Sequence, residues 1–254
     1  MAKLPLSVCL ISFNEEDNIE RTIKSVSDIA SEIIVVDSYS ADKTVEIAEK
    51  LGAKVYSEEW KGFERQKNSA MEKCTQPWIL SLDCDEVPDD KLRHAIVGAV
   101  LSGSYNGYTL NRRTFYAGKF LRFSWQPDRK LRLVKSSAKP EWKGGDIHEY
   151  LCVEGEAGRL EGELQHYSYK DIADHMHRLV KYAQLSAGVY RKKGRKMSYF
   201  KLLFSPWGAF LKKFILRLGF LDGFRGFLAA FSSFLYVFLK YVFLWELEMK
   251  NRDS

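Results

Sequence analysis

Apolar runs and amphipathic stretches alternate over roughly the first hundred residues of the chain. Mostly apolar runs at 4–13, 32–37, 53–57 and 78–82 predict buried β-strands. The stretches between them, 17–29, 41–51 and 62–74, have the apolar spacing of amphipathic helices. Repeated strand–helix units of this length predict an α/β fold, with a mainly parallel sheet covered by helices on both faces.

Polar side chains gather where these predicted strands end. They are Ser12, Asn14 and Glu15 after the first strand, Asp37 at the end of the second, and Asp83 and Asp85 after the fourth. Because ligands of parallel sheets bind beyond the carboxyl ends of the strands, we expect a binding site at this edge.

The segment Ser81-Leu82-Asp83-Cys84-Asp85-Glu86 carries the strongest chemical signal of the chain. Alternation along an extended backbone points Asp83 and Asp85 to the same side. At such a short distance two carboxylates repel each other unless they share a cation or a hydrogen-bond donor. A divalent ion that also binds phosphate suits such a pair. The alternative interpretation is a polar junction before a helix, since Pro88-Asp89-Asp90 is typical of a helix start.

The second half of the chain has two further patterns. Extended segments at 108–116, 130–134 and 159–167 predict strands, and 170–191 predicts a long amphipathic helix. The tail, 198–246, is rich in phenylalanine and leucine interrupted by lysine and arginine. Its uncharged, mostly apolar run 227–239 is short for a membrane span, which needs about 20 residues. The pattern favours helices lying in the headgroup region of an anionic leaflet; a buried helical hairpin or an oligomer interface is the alternative.

Composition excludes several function classes. The 254 residues are 46% hydrophobic and 28% charged, as in a globular protein, and the net charge of +6 favours an anionic partner. The four cysteines form no C-x-x-C pair, so neither a zinc motif nor a disulfide framework is indicated. No glycine-rich dinucleotide or Walker loop follows a predicted strand, which argues against nicotinamide dehydrogenases and P-loop enzymes. Nucleic acid is disfavoured because the cations are interleaved with apolar residues.

Several motifs in this order resemble those of family-two glycosyltransferases, which are inverting enzymes of the GT-A fold. They are Ser-Phe-Asn-Glu-Glu (12–16), Val-Val-Asp-Ser-Tyr-Ser (35–40), Gln-Lys-Asn (66–68) and Leu-Asp-Cys-Asp-Glu (82–86). The later motifs Trp-Gln-Pro-Asp-Arg (125–129), Ile-His-Glu (147–149) and Gly-Phe-Leu-Asp-Gly-Phe-Arg-Gly-Phe (219–227) are similar to the lipopolysaccharide core β-glucosyltransferase branch.

The resemblance implies residue roles in binding a UDP-sugar. Asp37 would accept a hydrogen bond from uracil, and Asp83 would hold ribose. The remaining expected donor contacts are Ser12, Asn14, Glu15, Lys67, Asn68, Arg129 and Arg132. Lys67 stands where the family usually has arginine, which keeps the charge but loses the bidentate fork.

The metal and the catalytic base are also expected from the resemblance. Asp85, with Asp83 and His148, would bind Mg²⁺ or Mn²⁺ and neutralise the departing diphosphate. Inversion needs a carboxylate that takes the proton of the acceptor hydroxyl. Glu149 is the first candidate for this base and Asp128 the second, while His166 and Tyr167 are candidates to face the acceptor.

Together these interpretations predict an inverting, metal-dependent hexosyltransferase. It would move a hexose, expected to be glucose, from a UDP-sugar to a lipid-linked saccharide, expected to be a heptose of the lipopolysaccharide inner core. Residues 1–195 would form the catalytic domain, with a nucleotide-sugar half (1–100) and an acceptor half (101–195), and 196–254 a tail on the cytoplasmic face of the bacterial inner membrane. The alternatives are a polyprenyl-phosphate sugar transferase and a non-catalytic membrane adaptor.

Overall fold

The computed structural model describes residues 3–145 and 149–250, and the chain divides into two compact units. The sheet unit comprises Met1–Arg112 and Asp128–His166, and the helical unit comprises Arg113–Pro127 and Tyr167–Ser254. This division differs from the boundary expected at residue 195. The long helix over 172–192 belongs to the helical unit because its buried Ala187 packs with Tyr241 and Leu244 of the tail.

The first part of the sheet unit has the predicted strand–helix alternation. The strands are β1 (Leu4–Ser12), β2 (Ala30–Asp37), β3 (Lys54–Ser57) and β4 (Trp78–Ser81), and the helices are α1 (Ile19–Val26), α2 (Thr44–Lys50) and α3 (Phe63–Glu72). These strands are parallel and lie in the order β3-β2-β1-β4. The strand order reverses between β1 and β4, and such a switch point is where open α/β sheets bind ligands.

Antiparallel strands complete the sheet beyond β4. The further elements are β5 (Glu86–Pro88), α4 (Asp90–Ser102), β6 (Gly107–Tyr116), β7 (Lys119–Phe120), β8 (Arg129–Lys135), β9 (Glu141–Lys143), β10 (Tyr150–Cys152) and β11 (Ala157–His166). The order continues β4-β8-β6-β11-β5, and β9 pairs with β10 as a separate hairpin. The sequence pattern missed β5, β7, β9 and β10 because strands of two or three residues are too short to show a period.

Two apolar layers cover the two faces of this sheet. Leu6, Val8 and Leu10 of β1 pack in one layer with residues of α1 and α4. Cys9 of the same strand packs in the other layer with Ala70 of α3 and Trp142 of β9. Alternate residues of a strand point to opposite faces, so an unbroken apolar run is what a sheet covered on both sides requires. The predicted α/β, GT-A-type architecture is confirmed.

The helical unit contains α5 (Ile172–Lys192), α6 (Tyr199–Leu211), a π-helical turn over Lys212–Leu216, a 3₁₀ turn over Gly219–Asp222 and α7 (Phe224–Lys250). Glycine is required at position 226, in the first turn of α7, because a Cβ there would lie 1.7 Å from the carbonyl oxygen of Gly219. The Asp222 carboxylate accepts backbone N–H bonds from Arg122, Phe123 and Ser124. The 219–227 motif therefore encodes a tight, hydrogen-bonded corner.

Helix α7 is longer than the uncharged run 227–239, because it begins before that run and continues beyond it. Its 27 residues are long and apolar enough to cross a membrane, by length and composition alone. Lys240, which ends the uncharged run, is buried. Its ammonium group donates to the Tyr190 hydroxyl at 3.1 Å and lies 4.3 Å from that ring's centroid. The aromatic neighbour therefore accommodates the charge, and the helix continues through it.

Candidate active site

At the ends of β1 and β2, Asp37 is the centre of a buried hydrogen-bond cluster. Its Oδ1 accepts from Ser12 Oγ at 2.7 Å and from Ser40 Oγ at 2.5 Å, and its Oδ2 accepts from the Ser40 amide at 2.7 Å. The side chain is fully buried. Asp37 thus organises the loop after β2, and its direct contact with a nucleobase stays a prediction.

Asn14 and Glu15 connect the end of β1 to the same loop. Asn14 accepts the Ala41 amide at 2.8 Å, and the Glu15 amide donates to Thr44 Oγ1 at 2.7 Å. Asn14 has φ 54° and Tyr39 has φ 60°, left-handed conformations that are costly for residues other than glycine. The hydrogen bonds between the two loops stabilise these conformations, and Phe13 and Tyr39 are exposed beside them.

After β4, Asp83 is clamped between two cations. Its Oδ1 lies 2.9 Å from Lys67 Nζ of α3, and its Oδ2 accepts from Arg132 of β8 at 2.7 Å. Burial alone would raise the pKa of Asp83, but the charges of Arg132 and Lys67 outweigh it and hold that pKa well below its usual range. Asp83 is therefore a permanent anion, and both its oxygens are already engaged.

Arg112 of β6 is a further cation at this place, which the sequence analysis missed. Its Nε donates to Asp128 Oδ2 at 2.7 Å, and its NH1 donates to Glu86 Oε1 at 3.1 Å. Asp128 also lies 3.4 Å from Lys130 Nζ. The second candidate for the base is thus held by cations on both sides.

These side chains surround a cavity of about 490 Å³ within the sheet unit. The lining residues are Lys67, Asp83, Arg112, Arg129, Lys130, Leu131, Arg132, Trp142, Glu149, Tyr150 and Leu151. Five lysines and arginines face two carboxylates in this set, so the cavity suits an anionic ligand. The structure therefore brings together Lys67, Asp83, Arg129, Arg132 and Glu149 of the predicted site.

Glu149 is the second carboxylate that lines the cavity. Its Oε1 lies 3.3 Å from Lys67 Nζ, which itself lies 4.3 Å from the centroid of the Trp142 ring. Lys67 is buried and spans the distance between Glu149 and Asp83. The lysine therefore links the two carboxylates that line the cavity.

Asn68 has a different role from Lys67, its neighbour in the sequence. Its amide donates to the Trp142 carbonyl oxygen at 3.0 Å and accepts the Trp142 amide at 2.8 Å, as a strand partner would. This places Trp142 beneath Lys67 and Arg132. Asn68 shapes the cavity wall, and its predicted donor contact is untested.

Two of the three predicted metal ligands, Asp83 and Asp85, lie in the described ranges, and they contact different partners. Asp85 is partly exposed, and its Oδ2 lies 3.3 Å from Nε2 of His166 on β11. Over residues 3–145 and 149–250 no group of three His, Cys, Asp or Glu side chains could hold an ion, and His148 lies outside these ranges. The Asp85 carboxylate still fits Mg²⁺ or Mn²⁺, because such hard ions are held by one or two carboxylates and take their other oxygen ligands from phosphate and water.

Comparison with known proteins gives the family of the chain's relatives. The model of glycosyl transferase family 2 matches residues 7–150. An uncharacterised glycosyltransferase of Rickettsia typhi is 32% identical over 98% of this chain and 89% of its own length. The lipopolysaccharide core biosynthesis glycosyltransferase LpsC of Rhizobium meliloti is 30% identical over 87% of this chain and 83% of its own length.

Among solved structures, one similar chain is glucosyl-3-phosphoglycerate synthase from Mycobacterium tuberculosis, in complex with Mn²⁺, UDP and glucosyl-3-phosphoglycerate. It is 28% identical, the likeness covers 46% of each chain, and the TM-score is 0.36. At this score the likeness is local.

Proposed function

The chain belongs to glycosyl transferase family 2, and on that premise we propose that it moves a hexose, with inversion, from a UDP-sugar to a lipid-linked saccharide of the lipopolysaccharide core. The relationship to LpsC supports the core saccharide as acceptor. Glucose is the hexose we propose, and an inner-core heptose is the acceptor sugar.

The observation that carries the proposal is the cationic cavity at the carboxyl end of β4. Lys67, Arg112 and Arg132 line it around Asp83. A nucleoside diphosphate is a compact anion, and the planar guanidinium groups of arginines bind phosphate oxygens in pairs. These cations would bind the diphosphate of the donor and stabilise the negative charge that it gains as the sugar leaves. Arg129, at the exposed rim, would contact the donor or a charged acceptor.

The uridine end of the donor would lie at the ends of β1 and β2. Ser12 and Asp37 are register partners on these neighbouring strands, and the exposed Phe13 and Tyr39 follow them. An aromatic ring offers a stacking surface to a base, and Asp37 keeps the loop in shape. This arrangement supports Ser12, Asn14, Glu15 and Asp37 as the nucleoside end of the site.

Glu149 is the base that we propose for the acceptor hydroxyl. It lines the cavity and has a cation on one side, whereas Asp128 is bonded to Arg112 and Lys130. An ionised carboxylate within reach of the hydroxyl takes its proton as that oxygen attacks the anomeric carbon. The bond to the sugar forms as the bond to the diphosphate breaks, so the configuration inverts.

Asp85 and His166 are the residues that we propose to hold a divalent cation. When bound, the ion would supply positive charge at the departing diphosphate. Asp83, whose oxygens bind Lys67 and Arg132, we assign to the cationic cluster and the donor. This proposal replaces the expected ligand set of Asp83, Asp85 and His148 by one that brings in His166.

UDP release measures the proposed reaction directly. The purified protein, with Mn²⁺ or Mg²⁺, is incubated with UDP-glucose and other UDP-hexoses and with heptose-terminated core lipid. We expect UDP to appear only with both substrates, and the product linkage to be β, as NMR would show. Transfer to polyprenyl phosphate instead would establish the alternative transferase, and no UDP release with any pair would contradict the proposal.

The helical unit supports a lipid surface as partner. Apolar side chains between the start of α6 and the start of α7 are exposed: Tyr199, Phe200, Leu203, Phe204, Trp207, Leu211, Ile215, Leu216, Leu218, Phe220, Leu221 and Phe224. Lys201, Lys212 and Arg217 lie among them and form no ion pair within the described residues. Apolar side chains flanked by unpaired cations fit the interface of an anionic leaflet.

A peripheral position, rather than a membrane span, is supported because the second half of α7 packs on α5. Tyr236 bonds Ser186, Lys240 bonds Tyr190, and Glu248 accepts the amide of Met197 just beyond α5. Taking α7 through a bilayer would take the neighbouring α5 with it, including its exposed Lys181 and Arg178. Each such charge costs about 3 kcal/mol at the centre of a bilayer by insertion scales. We therefore propose that the tail lies on the cytoplasmic face of the inner membrane.

Replacing apolar residues of α6 by aspartate is expected to release the protein from lipid. Phe200→Asp with Leu203→Asp alters side chains that are 71% and 62% exposed, so the fold should persist. Loss of their burial in lipid should weaken binding at least about tenfold, as measured by flotation with vesicles containing phosphatidylglycerol.

Leu101→Asp is the matched control, since this side chain of α4 is 72% exposed and lies in the sheet unit. It should float as the unaltered protein does. Undiminished flotation of the α6 variant would show that this face does not dock on the membrane.

A further inference from the structure

One buried carboxylate, Glu86, connects the cations of the cavity to the loop after β4. It is the first residue of β5 and is 0% exposed. Its Oε1 accepts from Arg132 at 2.8 Å and from Arg112 at 3.1 Å, and its Oε2 accepts from the Asp83 amide at 3.1 Å. A charge so buried is stable only when it is paired and hydrogen-bonded, and Glu86 is both.

The position of Glu86 between two guanidinium groups has an electrostatic consequence. Arg112 and Arg132 both line the cavity, and with Lys67 they make a group of like charges that repel one another. A single carboxylate oxygen bonded to both arginines offsets this repulsion and fixes their separation. Without it, the arginines would have to move apart or draw Asp83 and Asp128 further toward them.

Arg132 also has an N–H group that could donate a further hydrogen bond. Its side chain is 3% exposed and its Nε–H has no hydrogen-bond partner within the described part of the chain. An unpaired buried N–H of a charged group is costly unless a ligand satisfies it. A phosphate oxygen entering the cavity is the chemically matched acceptor for such a group.

Glu86 also closes the loop that carries Asp83. The Glu86 amide donates to the Asp83 carbonyl oxygen at 3.0 Å while the Glu86 carboxylate accepts the Asp83 amide. The same residue thus sets the backbone of Asp83 and the side chains of the two arginines.

We propose that Glu86 is a positioning residue that holds Arg112 and Arg132 ready for the diphosphate of the donor. The inference rests on the proposed function and adds a residue to which the family resemblance gave no role. Glu86 touches no substrate; it acts through the arginines. Its loss should therefore weaken binding of the phosphates far more than binding of the nucleoside.

Binding of UDP and of uridine, measured at one fixed Mg²⁺ concentration, tests this division of labour. Glu86→Gln is expected to weaken UDP binding at least about tenfold, as the loss of a charged partner does, and to raise the KM for the donor. Uridine, which has no phosphate, should lose far less affinity in the variant than UDP does. Glu86→Asp, which keeps the charge on a shorter stem, should bind UDP more tightly than Glu86→Gln.

Glu32→Gln is the matched control. Glu32 is also a buried carboxylate, but its partners are Ser7, Thr75 and Lys54, none of which lines the cavity. This variant should lower the thermal midpoint and leave the affinity for UDP unchanged.

Each outcome of this experiment is decisive. Equal weakening of UDP and uridine by Glu86→Gln, or unchanged UDP binding, would overturn the role of Glu86 and leave the proposed function standing. If Glu86→Gln does not fold, Glu86→Asp answers the same question by its loss for UDP against uridine. An unaltered protein that binds no UDP would overturn the proposed function together with this inference.

Discussion

Asp85→Ala is expected to reduce transfer by about a thousandfold, because it removes the carboxylate proposed to hold the cation that offsets charge on the departing diphosphate. The side chain is 22% exposed, and within the described residues it forms an ion pair with His166 at 3.3 Å. A pair of this kind contributes about 1 kcal/mol or less, so the variant should fold. The measurement is UDP release at saturating UDP-hexose and acceptor, with Mn²⁺ varied.

His166→Ala should behave similarly and raise the Mn²⁺ concentration that half-saturates the activity. The control is Asp90→Ala, which alters a carboxylate that is 90% exposed at the start of α4. This change should leave transfer unaltered. If the unaltered protein were fully active in buffer treated with a chelator, the metal role of Asp85 would be refuted.

Glu149→Gln is expected to stop turnover while donor binding persists. The change removes the proton acceptor and keeps the size of the side chain, and loss of general base catalysis costs about 10²- to 10⁴-fold in rate. Lys67 retains its 2.9 Å contact with Asp83 in this variant, so the cationic wall should stay in place. The kcat for transfer and the Kd for UDP, measured on the same preparation, separate the two effects.

Asp128→Asn provides the comparison within the same site. Because Asp128 bonds Arg112 at 2.7 Å, its change should raise the KM for the donor more than it lowers kcat. Near-normal turnover by Glu149→Gln, with loss of turnover in Asp128→Asn, would transfer the base role to Asp128.

Much of the sheet unit could be read from local pattern. Consecutive residues of β1 and β2 are apolar, so each strand has two apolar faces. Such a run fits only a strand that is buried on both sides. The carboxyl ends of parallel strands meet at one edge, so Asp37 and Asp83 could be placed there from sequence order alone. The family motifs then supplied the chemistry, and the relatives confirmed the family.

Local sequence pattern does not predict which partner each charged side chain contacts. Arg112 was missed because a strand arginine carries no signal of what it meets, and Glu86 because its partners Arg112 and Arg132 are 26 and 46 residues away. Asp83 and Asp85 lie two residues apart, yet one bonds Lys67 and Arg132 and the other bonds His166. Alternation along an ideal strand does not hold after β4, where the chain turns at Asp83–Glu86.

In the tail, too, the sequence predicts the composition of a surface but not the partner of a charged residue. Its composition predicts contact with lipid, and Lys240 ends the uncharged run. The structure places its ammonium group against Tyr190 of α5, from a part of the sequence 50 residues away.

The sequence by itself determined the parallel strands, the edge at which a site forms and the class of chemistry, because these depend on side-chain periodicity and on residue types in fixed order. Tertiary structure alone decided which carboxylate meets which cation and which apolar face stays exposed. Those pairings join residues far apart in the chain, and the energy of a charge depends on the distance and burial of its partners, which no local pattern records.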